Sequence, residues 1–221
     1  MIMASIMLML NWMIYIWAVN SNQIIESSLG YFINPLVNIL FGVVLLKESL
    51  NRHQIFSVIL ASLGVAIIAW DQGHIPWIAL VLAVSFSIYG LLKKKTQATG
   101  VESNQFESLI FIPLVLVFLL FQPHNWMTPE NQIPSILLLV GAGVVTGLPL
   151  ILFAEAARRI PYYVMGFFQF IAPTLQLASG VLIFNEPLSK NKLIGFVIIW
   201  IAILYLAGNG FYRAQKSKIS S

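Results

Sequence analysis

The side chains in this sequence that can act chemically are amides, hydroxyls and a few carboxylates, set within long apolar runs. Ser27, Tyr31, Asn34 and Asn38 follow one another at spacings of four, three and four residues, and Gly42 continues the series. This spacing places them on one face of a helix. A second series, Tyr162, Gly166, Gln169, Pro173, Gln176 and Gly180, repeats the spacing as four, three, four, three and four. Asn11 with Tyr15, and Ser85 with Tyr89, form two shorter pairs. A neutral stripe of this kind can offer hydrogen bonds to a passing solute. It can equally join helices, since polar side chains in lipid seek partners. The sequence leaves both readings open. It shows no nucleophile, acid–base pair or metal-ligand cluster inside these runs that would suggest an enzyme.

The carboxylates lie nearer the ends of the runs. Glu48 precedes Arg52 by four residues, and Glu186 precedes Lys190 by four, so each Glu can lock one mouth of a pathway or form a weak surface pair. Glu107 and Glu155 come closest to the interior of a run. A carboxylate there is a candidate for proton relay or coupling. Glu155 also has Arg158 and Arg159 three and four residues ahead, which allows a plain ion pair. No cysteine is present, so neither a disulfide framework nor a thiolate site can form. His53, His74 and His124 are scattered in predicted loops. No cofactor is expected.

These residues sit in a chain of 221, of which 59% are hydrophobic and 9% charged. The mean hydropathy is +0.87. A soluble domain carries about 25% charged residues, so this composition belongs in a lipid bilayer. The small net positive charge lies in loops and does not suggest nucleic-acid binding. The apolar stretches are continuous rather than alternating, which predicts helices and not a barrel.

About eight transmembrane helices are predicted. The first four cover Met1–Val19, Ser27–Leu46, Gln54–Trp70 and Ile75–Leu92. The last four cover Gln105–Phe121, Ile133–Ala154, Pro161–Phe184 and Lys192–Ala207. Thr96–Asn104 and Gln122–Gln132 are predicted loops. With this number of spans, ten of the twelve Lys and Arg residues fall on one side. They are Lys47, Arg52, Lys93, Lys94, Lys95, Arg158, Arg159, Arg213, Lys216 and Lys218. Only Lys190 and Lys192 fall on the other. The positive-inside rule then predicts a cytoplasmic C-terminus. Trp17, Trp70, Trp77 and Trp126 collect at the opposite boundary, as an interfacial aromatic belt would.

The segment Ser28–Arg52 returns as Gly166–Lys190 at a constant offset of 138 residues. Pro35 matches Pro173, Asn38 matches Gln176, Gly42 matches Gly180 and Glu48 matches Glu186. Each proline removes a backbone donor and crowds the carbonyl four residues earlier, so Pro35 and Pro173 are expected kinks or hinges. The copies lie five helices apart. An odd separation inverts the repeat, as in secondary transporters whose two halves exchange roles. Residues 1–70 would then form the last three helices of one five-helix unit and 75–208 a complete second unit, followed by a basic tail at 209–221. On this period, two further helices are expected before Met1.

The stretches NWMIYIWAVN (Asn11–Asn20), SLGYFINPLVNILFG (Ser28–Gly42), SFSIYGLLKKK (Ser85–Lys95) and GFFQFIAPT (Gly166–Thr174) resemble the RarD permeases. These belong to the EamA group of the drug/metabolite transporter superfamily. The resemblance covers nearly the whole chain and implies a ten-helix inner-membrane permease of two inverted repeats, associated by name with chloramphenicol. It implies movement of a small organic solute by alternating access, with the lipid bilayer and the solute as partners. Without the first two helices the chain is expected to be inactive alone. An inactive fragment or non-transporting membrane protein is the alternative, and a membrane-embedded enzyme a more distant one.

Overall fold

The computed structural model describes residues 1–21, 23–70, 73–121, 132–182 and 189–219. Every regular element among them is a helix: α1 (Ile2–Asn20), α2 (Ile24–Leu45), α3 (Arg52–Trp70), α4 (Trp77–Lys95), α5 (Gly100–Phe121), α6 (Gln132–Arg159), α7 (Tyr162–Gln169), α8 (Ile171–Leu182) and α9 (Lys190–Ile219). Six of the described helices, α1, α2, α3, α4, α6 and α9, are long and apolar enough to cross a membrane. The chain is an all-α membrane protein.

Three boundaries differ from those expected. The segment read as one span, Pro161–Phe184, divides into α7 and α8 at Phe170, three residues before Pro173. Proline cannot donate to the turn behind it, and the turn tightens there: Phe170 N–H donates to the Phe167 carbonyl at 3.3 Å. By contrast, α2 runs unbroken through Pro35. The predicted loop Thr96–Asn104 becomes helical from Gly100, because Thr99 and Glu102 form a reciprocal cap. Thr99 N–H donates to Glu102 at 2.7 Å and Glu102 N–H to the Thr99 hydroxyl at 3.2 Å. The Thr99 backbone bond also holds the Glu102 carboxyl below its usual range. The predicted basic tail is helical through Ile219, since no proline interrupts it.

A similar cap starts α3. Asn51 accepts from the backbone of His53 and Gln54, while Gln54 accepts from Asn51 N–H at 2.8 Å. His53 is therefore in a helix rather than a loop, and its Nδ1 lies 2.6 Å from the Tyr205 hydroxyl.

At the centre, α2 packs on α4 and α7, α4 also packs on α1 and α6, and α3 runs beside α9. The α3–α9 contact depends on small residues. A Cβ added to Gly64 would lie 2.6 Å from the Gly195 carbonyl, and one added to Gly195 equally close to that of Gly64. Without a hydrophobic drive between helices in lipid, close backbone approach is a main source of association. Around this contact Leu29 and Phe32 join Ala61, Val65, Ile68, Phe196 and Ile199 in one core. Phe32 and Phe196 meet edge to face at 4.9 Å.

Three carboxylates dock against the N-termini of other helices. Glu26 accepts from Ile78 N–H of α4 at 2.8 Å. Glu48 accepts from Tyr162 and Tyr163 of α7 at 2.8 and 2.9 Å. Glu155 accepts from Gly100 of α5 at 3.0 Å. Each meets unpaired N–H groups and the positive end of a helix dipole. Glu48, Lys94, Gly100, Glu155, Arg158 and Arg159 thus share one end of the bundle, reached also by the His53–Tyr205 contact. Trp17 and Trp77, 5.7 Å apart, lie at the other.

Candidate functional site

Between α1, α2, α4, α6, α7 and α8 lies a cavity of about 410 Å³. From α1 it takes Asn11, Trp12 and Tyr15, and from α2 Ser27, Tyr31 and Asn34. Phe86 of α4 and Phe153 of α6 form a further aromatic wall, with their ring centroids 5.0 Å apart. Gln169, the last residue of α7, and Ala172 in the first turn of α8 close it across the helix break. The rings of Tyr15 and Tyr31 meet edge to face at 6.3 Å. Two offset helical stripes, from α1 and α2, thereby converge on one space.

The amides are held by the helices they join. Asn11 Nδ2 donates to the Leu82 carbonyl at 2.8 Å and to Ser85 Oγ at 2.9 Å. Asn34 Nδ2 donates to the Ala83 carbonyl and Ser87 Oγ, both at 3.0 Å. Asn38 Nδ2 donates to Asn34 Oδ1 at 3.3 Å and also to Gln169 Oε1. Asn38 is fully buried, and its own Oδ1 is without a partner among the described residues. The chain Gln169–Asn38–Asn34–Ser87 therefore links α7 through α2 to α4. Bridging helices and lining a cavity are roles that the same residues combine.

Of the residues expected along a pathway, Asn11, Tyr15, Tyr31, Asn34 and Gln169 meet at the cavity. Asn38 and Ser85 stand behind it as hydrogen-bond partners. Tyr89 turns away, donating to Glu107 at 3.4 Å. Gln176 belongs to α8, but its side chain lies outside the described residues, as does Glu186. Pro35 and Pro173 are both buried.

The carboxylates have other partners than the spacing suggests. Glu48 is engaged with α7 and, at 3.8 Å, with Lys94; no pair with Arg52 forms among the described residues. Arg52 instead opens α3, directly after the non-helical Lys47–Asn51 link, whose Lys47 has a φ of 56°. Glu155 pairs with Arg158 at 3.3 Å and Arg159 at 2.6 Å. Glu107, 3% exposed, pairs with Lys93, 2% exposed, at 2.5 Å. Lys93 Nζ also reaches Ser103 Oγ and lies 5.0 Å from the Tyr89 ring centroid.

Sequence reasoning missed the aromatic walls. Trp12, Phe86 and Phe153 look like apolar filler because each falls within a long apolar run, where aromatic residues are common. One usable signal was that Phe86 continues Leu82 at helical spacing and sits between Ser85 and Ser87. The buried Lys93 was missed because a Lys-Lys-Lys run reads as a solvated helix end.

A model of the EamA-like transporter family matches residues 75–208. The chain is similar to an uncharacterized transporter, YojE, of Bacillus subtilis. They are 46% identical over 217 residues, covering 97% of this chain and 73% of that one. It is similar to protein RarD of Salmonella typhimurium, 41% identical over 93% of this chain and 71% of that one. One solved crystal structure superposes with a TM-score of 0.62 at 18% identity, over 88% of this chain and 70% of the other, a likeness of fold.

Proposed function

From the premise that this chain belongs to the EamA-like transporter family, we propose that it moves a small organic solute across a bacterial inner membrane by alternating access. As a member of that family it is a membrane transporter. The observation that carries the finer reading is the cavity itself, where amide, hydroxyl and aromatic groups from five helices converge, with Ala172 of a sixth beside them.

Residues 1–70 and 75–208 serve as the two parts of an inverted repeat whose relative rocking opens the cavity to each side in turn. The gathering of Lys93–Lys95, Arg158 and Arg159 at one end favours placing that end in the cytoplasm, together with the C-terminus. Glu48 then closes the inner mouth by binding α7 to α2. The break at Phe170 is where the α7–α8 wall bends, with Gln169 and Ala172 on its two sides. Pro173 sets that hinge, and Pro35 gives α2 the matching weak point.

Chloramphenicol, which the family resemblance associates by name, is the first solute to test. The chain with its first five-helix unit completed by two further helices is reconstituted in liposomes beside the chain alone, and entry of radiolabelled solute is followed. Saturable flux is expected from the completed form and none from the chain alone. Ala172→Trp, which puts a large ring into the cavity, is expected to abolish it at unchanged protein abundance. Equal flux with Trp at 172 would show that solute takes another route. No flux from the completed form for any of a broad set of solutes would favour a non-transporting membrane protein.

A further inference from the structure

The cavity's lining specifies more than its location. Among the described residues, none of its lining side chains is charged. The ionisable groups nearby are committed elsewhere. Glu26, next in sequence to Ser27, turns to the α4 N-terminus through Ile78 N–H. Glu48 is engaged with α7 and Lys94, and Glu107 with Lys93. A carboxylate or ammonium entering the cavity would lose water and meet no counter-charge, which is strongly unfavourable in a membrane interior.

The polar handles that remain are neutral and of both kinds. The Asn11 Nδ2 hydrogens are spent on Leu82 and Ser85, leaving its Oδ1 as an acceptor. The Gln169 Oε1 is spent on Asn38, leaving its Nε2 as a donor. Trp12, Tyr15, Tyr31, Phe86 and Phe153 supply ring faces and edges for stacking.

We infer that the cavity binds an uncharged solute carrying an aromatic ring and an amide or hydroxyl group. The ring packs among the five aromatic side chains. The amide carbonyl accepts from Gln169, and the amide N–H or hydroxyl donates to Asn11. This inference rests on the permease reading for its biological meaning, but binding at equilibrium tests it without any transport step.

The test uses four probes that share a 4-hydroxyphenyl ring: 4-hydroxyphenylacetamide, tyramine, 4-hydroxyphenylacetate and tyrosine. They are respectively neutral, cationic, anionic and zwitterionic at neutral pH. Binding of each labelled probe to the full chain in nanodiscs is measured at equilibrium. The amide is expected to bind more tightly than each charged probe by about tenfold or more. Trp12→Ala should weaken amide binding by about two- to tenfold. Ala172→Glu should reverse the order in favour of tyramine. Equal or tighter binding of any charged probe to the unchanged chain would overturn the inference, as would absence of amide binding. Amide binding with no flux from the completed form in liposomes would support the inference and count against the permease reading. Flux of a charged solute without amide binding would do the opposite.

Discussion

Asn38 joins α2 to α7 and to its own helix through a single amide group. Replacing it with Leu strands Gln169 and Asn34, and a stranded buried polar group costs about 1–3 kcal/mol. Asn38→Leu should therefore lower the unfolding temperature in detergent. A double-mutant cycle with Gln169→Leu should return a coupling of about 0.6 kcal/mol, and not above about 1.7. Zero coupling would mean the two amides do not meet in solution. The Lys93–Glu107 pair gives a sharper contrast. Glu107→Leu alone leaves a buried ammonium without counter-charge, a loss of about 3–5 kcal/mol. Lys93→Met combined with Glu107→Leu should recover most of it. Thermal unfolding of the two variants checks this: if the double variant is no more stable than the single, the pair does more than neutralise itself. Lys93 and Glu107 show how far spacing alone can be read. The thirteen residues between them conceal a contact made only when α4 and α5 fold side by side.

Among the described elements, α7 is a short helix whose position depends on its partners. Its eight residues are too few to be stable alone. It is fixed by Glu48 at its N-terminus and by close packing at Gly166, where a Cβ would lie 2.6 Å from the Pro35 carbonyl. Glu48→Ala removes an acceptor and a charge from the helix start, at about 1 kcal/mol. Because the chain has no cysteine of its own, a single cysteine at the half-buried Val164 reports on this directly. Its labelling by a thiol reagent should quicken when Glu48→Ala is added. An unchanged rate would show that packing alone holds α7. The four-residue spacing of Glu48 to Arg52 suggested a local pair. The spacing misleads because the chain leaves helical geometry between Lys47 and Asn51, so side chains four apart no longer share a face.

For the whole molecule, the decisive property is which end faces the cytoplasm. The end that holds Lys93–Lys95 and Arg158–Arg159 is expected inside. His74→Cys lies at the opposite end from Gln97→Cys. In intact cells an impermeant thiol reagent should label the former and spare the latter until the membrane is opened. The reverse pattern would invert the topology and place Glu48 at the outer mouth.

The sequence by itself determined that this chain is helical and lies in a membrane, because continuous apolar runs with so little charge have no other stable state. It also determined the family, through motifs in α1, α2, α4 and α7. Helical periodicity, a local property, singled out Asn11, Tyr15, Tyr31, Asn34 and Gln169. The division of α7 from α8 was legible only as a strain at Pro173, since whether a proline bends or breaks a helix depends on what packs around it. α2 passes through Pro35 intact while enclosed by α4 and α7. Tertiary structure alone decided which amides face the cavity and which stand behind it. It alone brought Phe86 and Phe153 to one wall and sent Glu26, Glu48 and Glu155 to the N-termini of other helices. Those outcomes depend on contacts between residues from 52 to more than 100 positions apart, and no periodicity within one helix can encode them.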